Sequence, residues 1–308
     1  MARRMQNRIA ESRWALPITV VYAVLVCLAC RLLSDQLWVQ MAMLIVSTYL
    51  VIELNNTNSL IRIYSRMISC TFLVLMSAAN IIFPSVESRI VQLCFIGCYT
   101  ALFRAYQDKQ ASGPVFYAFL CIGIASTIFI QIAFYVPILW ILLAVNILAF
   151  SNRTFWASVL GLIVPYWFIG GYHAYTGEID QLARHFTNMA QFGPLFDYSV
   201  ITEHQIVTFA YVVLIAAIGI IHYLRNSFAD KIRTRMLYEL FITMCVGSIV
   251  FMILQPQYYD ILMGILIVNT APLIAHFIAL TRTRLTNIAF YLLIGLSIVI
   301  TAYNLWTH

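Results

Sequence analysis

Uninterrupted apolar runs constrain this chain more than any other feature. Residues 205–224 and 114–150 contain no Asp, Glu, Lys or Arg. A hydrocarbon core about 30 Å thick takes about 20 such residues per helix. Within lipid every backbone N–H and C=O must be satisfied inside the segment, which leaves helices and closed barrels. Barrel strands are short and alternate apolar with polar residues, whereas these runs are continuous. Only 10% of the 308 residues are charged, against about 25% in soluble domains.

The expectation is an all-α integral membrane protein, a single transmembrane domain over 1–308 built as a bundle of about eleven transmembrane helices. The spans read as approximately 14–33, 38–53, 67–83, 90–103, 114–131, 132–150, 155–172, 205–224, 237–254, 261–280 and 286–305. The fourth is short and pinned between Arg89 and Arg104, so those arginines would have to snorkel to the interfaces. The run 112–150 divides in two near Gln131 and Pro137. The arginine-rich start, followed by an apolar stretch without a clear cleavage site, reads as a retained first helix.

Lys and Arg supply an independent check, because cytoplasmic loops collect them. With the N-terminus inside, Arg31, Arg89 and Arg184 fall outside and the remaining fifteen of the 18 fall inside. One missed helix would scramble that split. The net charge of +6 therefore reads as topology rather than as a nucleic-acid surface. All seven cysteines lie in apolar runs, where thiols behave as small hydrophobes, so no disulfide framework is expected.

One long segment, 173–203, is expected as an outer loop. Within Glu178–Phe192, residues Ile179, Leu182, Phe186 and Met189 recur three or four apart, predicting an amphipathic helix lying in the interface. Gly193-Pro194 would end it.

Ionisable groups near or inside a membrane are candidates for function. His173, Asp180, Arg184 and His185 form a candidate outer-face ligand site: histidine can pass protons near neutral pH and arginine can clamp a phosphate. A solvated loop over an interfacial helix, polar in any case, also explains them and is the preferred reading. Glu53, Asn55, Asn56, Arg62 and Arg66 form a candidate cytoplasmic polar pocket for an anionic headgroup, with Arg62 and Arg66 on one face if that segment is helical. Its alternative is a helix start capped by Asn58 and ordinary positive anchors. Asn269, Pro272 and His276 share one face of the tenth span and either line a site or pack helices together. No metal-ligand spacing occurs, and no cofactor is implied.

At Glu53–Met67 (ELNNTNSLIRIYSRM) and Leu102–Lys109 (LFRAYQDK) the chain resembles a family of bacterial polytopic inner-membrane proteins with no established activity. The resemblance implies a bacterial inner membrane and carries over no site residue. Many helices with a long late outer loop are also similar in layout to envelope polysaccharide polymerases and ligases. The expected function is a non-catalytic component of cell-envelope biogenesis. Its partners would be the lipid bilayer and other envelope proteins, with no nucleic acid. An outer-face enzyme on a lipid-linked glycan and a small-solute transporter are the alternatives.

Overall fold

A computed structural model describes residues 4–30, 36–281 and 283–306. Arg3, Arg31, Arg282 and His308 lie outside them, as does Asp35. The described residues form helices joined by turns and irregular segments, with no strand. In chain order the helices are α1 (Met5–Ala10), α2 (Ala15–Ala29), α3 (Trp38–Asn58), α4 (Met67–Ala78), α5 (Val86–Leu102), α6 (Ser112–Ile128) and α7 (Tyr135–Val145). There follow α8 (Asn152–Thr176), α9 (Ile179–Thr187), α10 (Glu203–Asn226), α11 (Ile232–Leu254), α12 (Tyr259–Leu280) and α13 (Arg284–Leu305).

Among the described residues, seven helices are long and apolar enough to cross a membrane: α3, α5, α8, α10, α11, α12 and α13. Four more, α2, α4, α6 and α7, are apolar but shorter. The chain is thus a multi-pass membrane protein; each apolar run expected as a span overlaps one of these helices, of which seven have the length and hydropathy of a crossing. Several starts are set by hydroxyl chemistry. Ser151 with Thr154, Thr202 with Gln205 and Thr283 with Thr286 form reciprocal caps on α8, α10 and α13, satisfying N–H groups the helix leaves open.

α12 sits at the centre, packed by α4, α5, α10 and α11, and nearly all its side chains are buried. Where every neighbour is apolar, close approach comes from small residues. A Cβ on Gly219 of α10 would stand 2.8 Å from the Leu273 carbonyl carbon of α12. The α6–α8 pair uses the same device reciprocally. A Cβ on Gly161 would meet the Phe116 oxygen at 2.5 Å, and one on Gly123 the Leu162 oxygen at 2.9 Å.

Several boundaries differ from the sequence reading. α3 runs on to Asn58, so Asn58 ends a helix rather than capping the start of one. Ser59 then turns left-handed at φ 48° and ψ 49°. Residues 59–66 are irregular, so Arg62 and Arg66 share no helix face. α5 begins before Arg89, which is buried at 2% exposure instead of anchoring an interface. Its guanidinium lies 4.6 Å from the Phe83 ring centre and donates to Gln92 at 3.4 Å. α8 extends through His173, and the loop helix is α9, nine residues rather than the whole of 178–192. The break in 112–150 falls at Phe129, with Pro137 in the first turn of α7.

Candidate functional site

The end of α3, the irregular segment after it and the start of α11 enclose a cavity of about 590 Å³. Its wall includes Asn55, Asn56 and Arg62 from the expected polar pocket, joined by Asn58, Lys231 and Arg233. Glu53 instead accepts from the Thr57 hydroxyl at 2.8 Å, and Arg66 donates to the Tyr64 hydroxyl at 3.2 Å. Neither belongs to the wall.

Side-chain amides build the frame. Asn55 Nδ2 donates to the Ser65 carbonyl at 3.0 Å, tying α3 to the irregular segment. Asn58 Nδ2 donates to the Leu54 carbonyl at 3.0 Å, while its Oδ1 accepts from Arg233 at 2.9 Å. Arg233 also donates to the Phe103 carbonyl at 3.2 Å, so it joins α3, α5 and α11. Arg62 is looser: its side chain is 48% exposed, and it donates to the Ala229 carbonyl at 3.2 Å.

The charge arrangement runs against helix electrostatics. α11 is preceded by Lys231 at its N-cap position, with no side-chain cap and no acid in its first turn. Open N–H groups and the macrodipole make that end positive, which favours anions. The sequence places Lys231, Arg233 and Arg235 there instead. The one carboxylate in the wall, Asp230, is engaged elsewhere. Its Oδ2 lies 2.8 Å from His276 Nε2, and both side chains are nearly fully buried, at 3% and 1% exposure. Arg62 approaches the other carboxylate oxygen at 4.0 Å.

Behind that pair lies a ring cluster. His276 meets Tyr223 and Tyr238 edge-on, each with ring centres 5.1 Å apart, and His222 at 5.5 Å. Tyr223 and Tyr238 stack at 4.7 Å. His276 Nδ1, His222 Nε2 and the Tyr223 hydroxyl are buried without a hydrogen-bond partner among the described residues. Asn269, on the same side of α12, accepts from the Tyr99 hydroxyl at 2.8 Å. The Pro272 carbonyl accepts from Tyr238 at 3.4 Å. His276 was visible in the sequence as part of that polar face. Asp230 was not, because it sits in a basic connecting segment.

The candidate outer residues are placed differently. Asp180 and Arg184 are exposed on α9 and form no ion pair with each other among the described residues. His173 is half-buried near the end of α8, edge-on to Tyr172. His185 reaches inward, with Nε2 3.0 Å from the Ser126 carbonyl, and lines a polar cavity of about 280 Å³ with Gln131, Asn188 and Tyr258. Of the four, His185 alone lines that cavity. Phe186 packs on Tyr166 at 5.0 Å. No group of His, Cys, Asp or Glu suited to a metal ion occurs among the described residues.

Comparison with known proteins brings no relative: no family model matches the chain, no curated protein is similar in sequence, and no solved structure matches the fold.

Proposed function

We propose that the protein is a bacterial inner-membrane component with eleven crossings, N-terminus cytoplasmic and C-terminus periplasmic, whose cytoplasmic pocket binds an anionic group of the phosphate type. The observation that carries the reading is the uncapped start of α11, surrounded by Arg62, Lys231 and Arg233. Cations clustered at the positive end of a helix repel it and one another; a tetrahedral anion would receive the open N–H groups and offset both costs. The basic bias of the same connections supports a cytoplasmic position. On this reading α9 lies along the periplasmic interface.

A phosphate can belong to a lipid headgroup or to a solute. Binding to the purified protein separates them, with inorganic phosphate in one arm and nanodiscs of phosphatidylglycerol against phosphatidylcholine in the other. Retention of either anion, lost in the Arg62→Glu, Lys231→Glu double variant, supports the site. No retention in either arm removes it.

A second reading keeps the expectation of a non-catalytic partner in cell-envelope biogenesis. A groove of about 380 Å³ runs between α2, α4, α10 and α13, lined by Ile18, Val74, Ile215 and Leu293. Its polar members are bonded sideways, Tyr22 to Thr301 and Tyr211 to Ser297. What remains is an apolar surface suited to a partner helix. Co-purification of a second membrane protein, abolished by Ile18→Trp, is the expected result.

A further inference from the structure

Asp230 faces the pocket with one oxygen and the bundle interior with the other, and this gives the site a second ligand. We infer that the pocket binds its anion together with a proton, which is held on His276. The inference rests on the anion-binding reading above.

The geometry supplies the coupling. Asp230 Oδ1 is 4.0 Å from Arg62, a pocket cation, while Oδ2 is 2.8 Å from His276 Nε2. An anion on Arg62 adds negative charge beside this pair and draws the guanidinium from the carboxylate. Both changes leave Asp230 less compensated, and both favour the imidazolium. Histidine is the side chain that answers such a change within about pH 5–8. Burial lets the effect act with little screening.

The groups around His276 are few. α10 contributes His222 and Tyr223, and α11 contributes Tyr238. Arg235 and Glu239 of α11 are charged groups further from the ring. α4 carries Cys70 as its one titratable group, α1 carries Arg8, and Tyr99 of α5 is bonded to Asn269, two turns of α12 away. Among the described residues Asp230 is therefore the one carboxylate paired with the ring. His222 is a ring neighbour rather than a hydrogen-bond partner, and its Nδ1 is engaged with Asn226 at 3.0 Å.

Ligand binding that depends on a bound proton takes up protons from solution, and affinity then falls as pH rises. With one proton linked, Kd rises by up to about tenfold per pH unit above the titration range. Sulfate and phosphatidylglycerol keep their own charge between about pH 5 and 8, so any proton counted belongs to the protein. Calorimetry of the full-length protein with sulfate, and with phosphatidylglycerol micelles, is run in two buffers of different ionisation enthalpy. The expected result is net proton uptake in the parent, weaker binding without uptake in His276→Gln, and uptake kept in His222→Asn. Binding without uptake in the parent overturns the inference and leaves the anion site standing. Uptake persisting in His276→Gln overturns it as well. Binding of neither probe removes the anion site itself, and the inference with it. Should His276→Gln fail to fold, Asp230→Asn, which removes the charge beside the ring, takes its place: uptake lost is the expected result and uptake kept overturns the inference.

Discussion

His276 of α12 and Asp230 of the α10–α11 connection meet at 2.8 Å, with both side chains almost wholly buried. Removing each partner should cost differently. His276→Leu leaves a buried carboxylate whose nearest cation among the described residues is Arg62 at 4.0 Å, and stranding a buried charge costs about 3–5 kcal/mol. Asp230→Asn keeps an acceptor for the ring and should cost about 1 kcal/mol, the scale of one hydrogen bond. Thermal unfolding in detergent should rank His276→Leu well below Asp230→Asn. Equal losses would mean that the pair contributes packing rather than charge compensation.

Arg233 and Arg62 line one cavity but should behave differently when truncated. Arg233 ties Asn58 and the Phe103 carbonyl together and lies 5.6 Å from the Tyr106 ring centre. Arg233→Ala strands those acceptors and should lower stability by about 1–3 kcal/mol. Arg62→Ala should weaken anion retention while unfolding within about 0.5 kcal/mol of the parent, as for a surface change. A large stability loss from Arg62→Ala would contradict its placement.

The α6–α8 contact predicts a steep size dependence. Gly161 has no room for a Cβ beside the Phe116 carbonyl, and backbone cannot yield as a side-chain tip can. Gly161→Val should cost about 1–3 kcal/mol or more, read as loss of folded protein on size exclusion. Gly295, with nothing within 4 Å of its Cβ position, is the control: Gly295→Ala should be neutral or slightly stabilising.

Topology is open to reporter fusions. Alkaline phosphatase joined after Tyr175 or after His308 should be active, and after Arg235 inactive, because the enzyme matures outside the cytoplasm. Activity at Arg235 with silence at Tyr175 would reverse the orientation and move the pocket to the outer face.

The helices were legible because apolar runs report burial in lipid or protein directly. Long-range satisfaction of polar groups was not. Asn55-Asn56-Thr57-Asn58 looks like a loop because asparagine is a poor helix former, yet α3 continues through it, with Asn55 satisfied by the Ser65 carbonyl and Asn58 by Leu54. Arg89 looked like an interface anchor because a charge ordinarily seeks water. Its burial depends on the Phe83 ring and the Gln92 amide, which the chain brings together only on folding. The pocket was half visible: Asn55, Asn56 and Arg62 lie in one stretch, while Asp230, Lys231 and Arg233 come from far along the chain. Arg184 and His185, adjacent in sequence, diverge because successive helical positions point about 100° apart, sending one to the exterior and the other toward Ser126.

Asn56 is exposed in the pocket wall, and Asn56→Cys places a thiol where the proposed anion would bind. Its labelling by a membrane-impermeant maleimide is compared in intact spheroplasts and inverted vesicles, with and without sulfate or added phosphatidylglycerol. A cytoplasmic anion site predicts labelling in inverted vesicles only, slowed several-fold by at least one of the two anions. Labelling in intact spheroplasts, or a rate in inverted vesicles that neither anion changes, would contradict it.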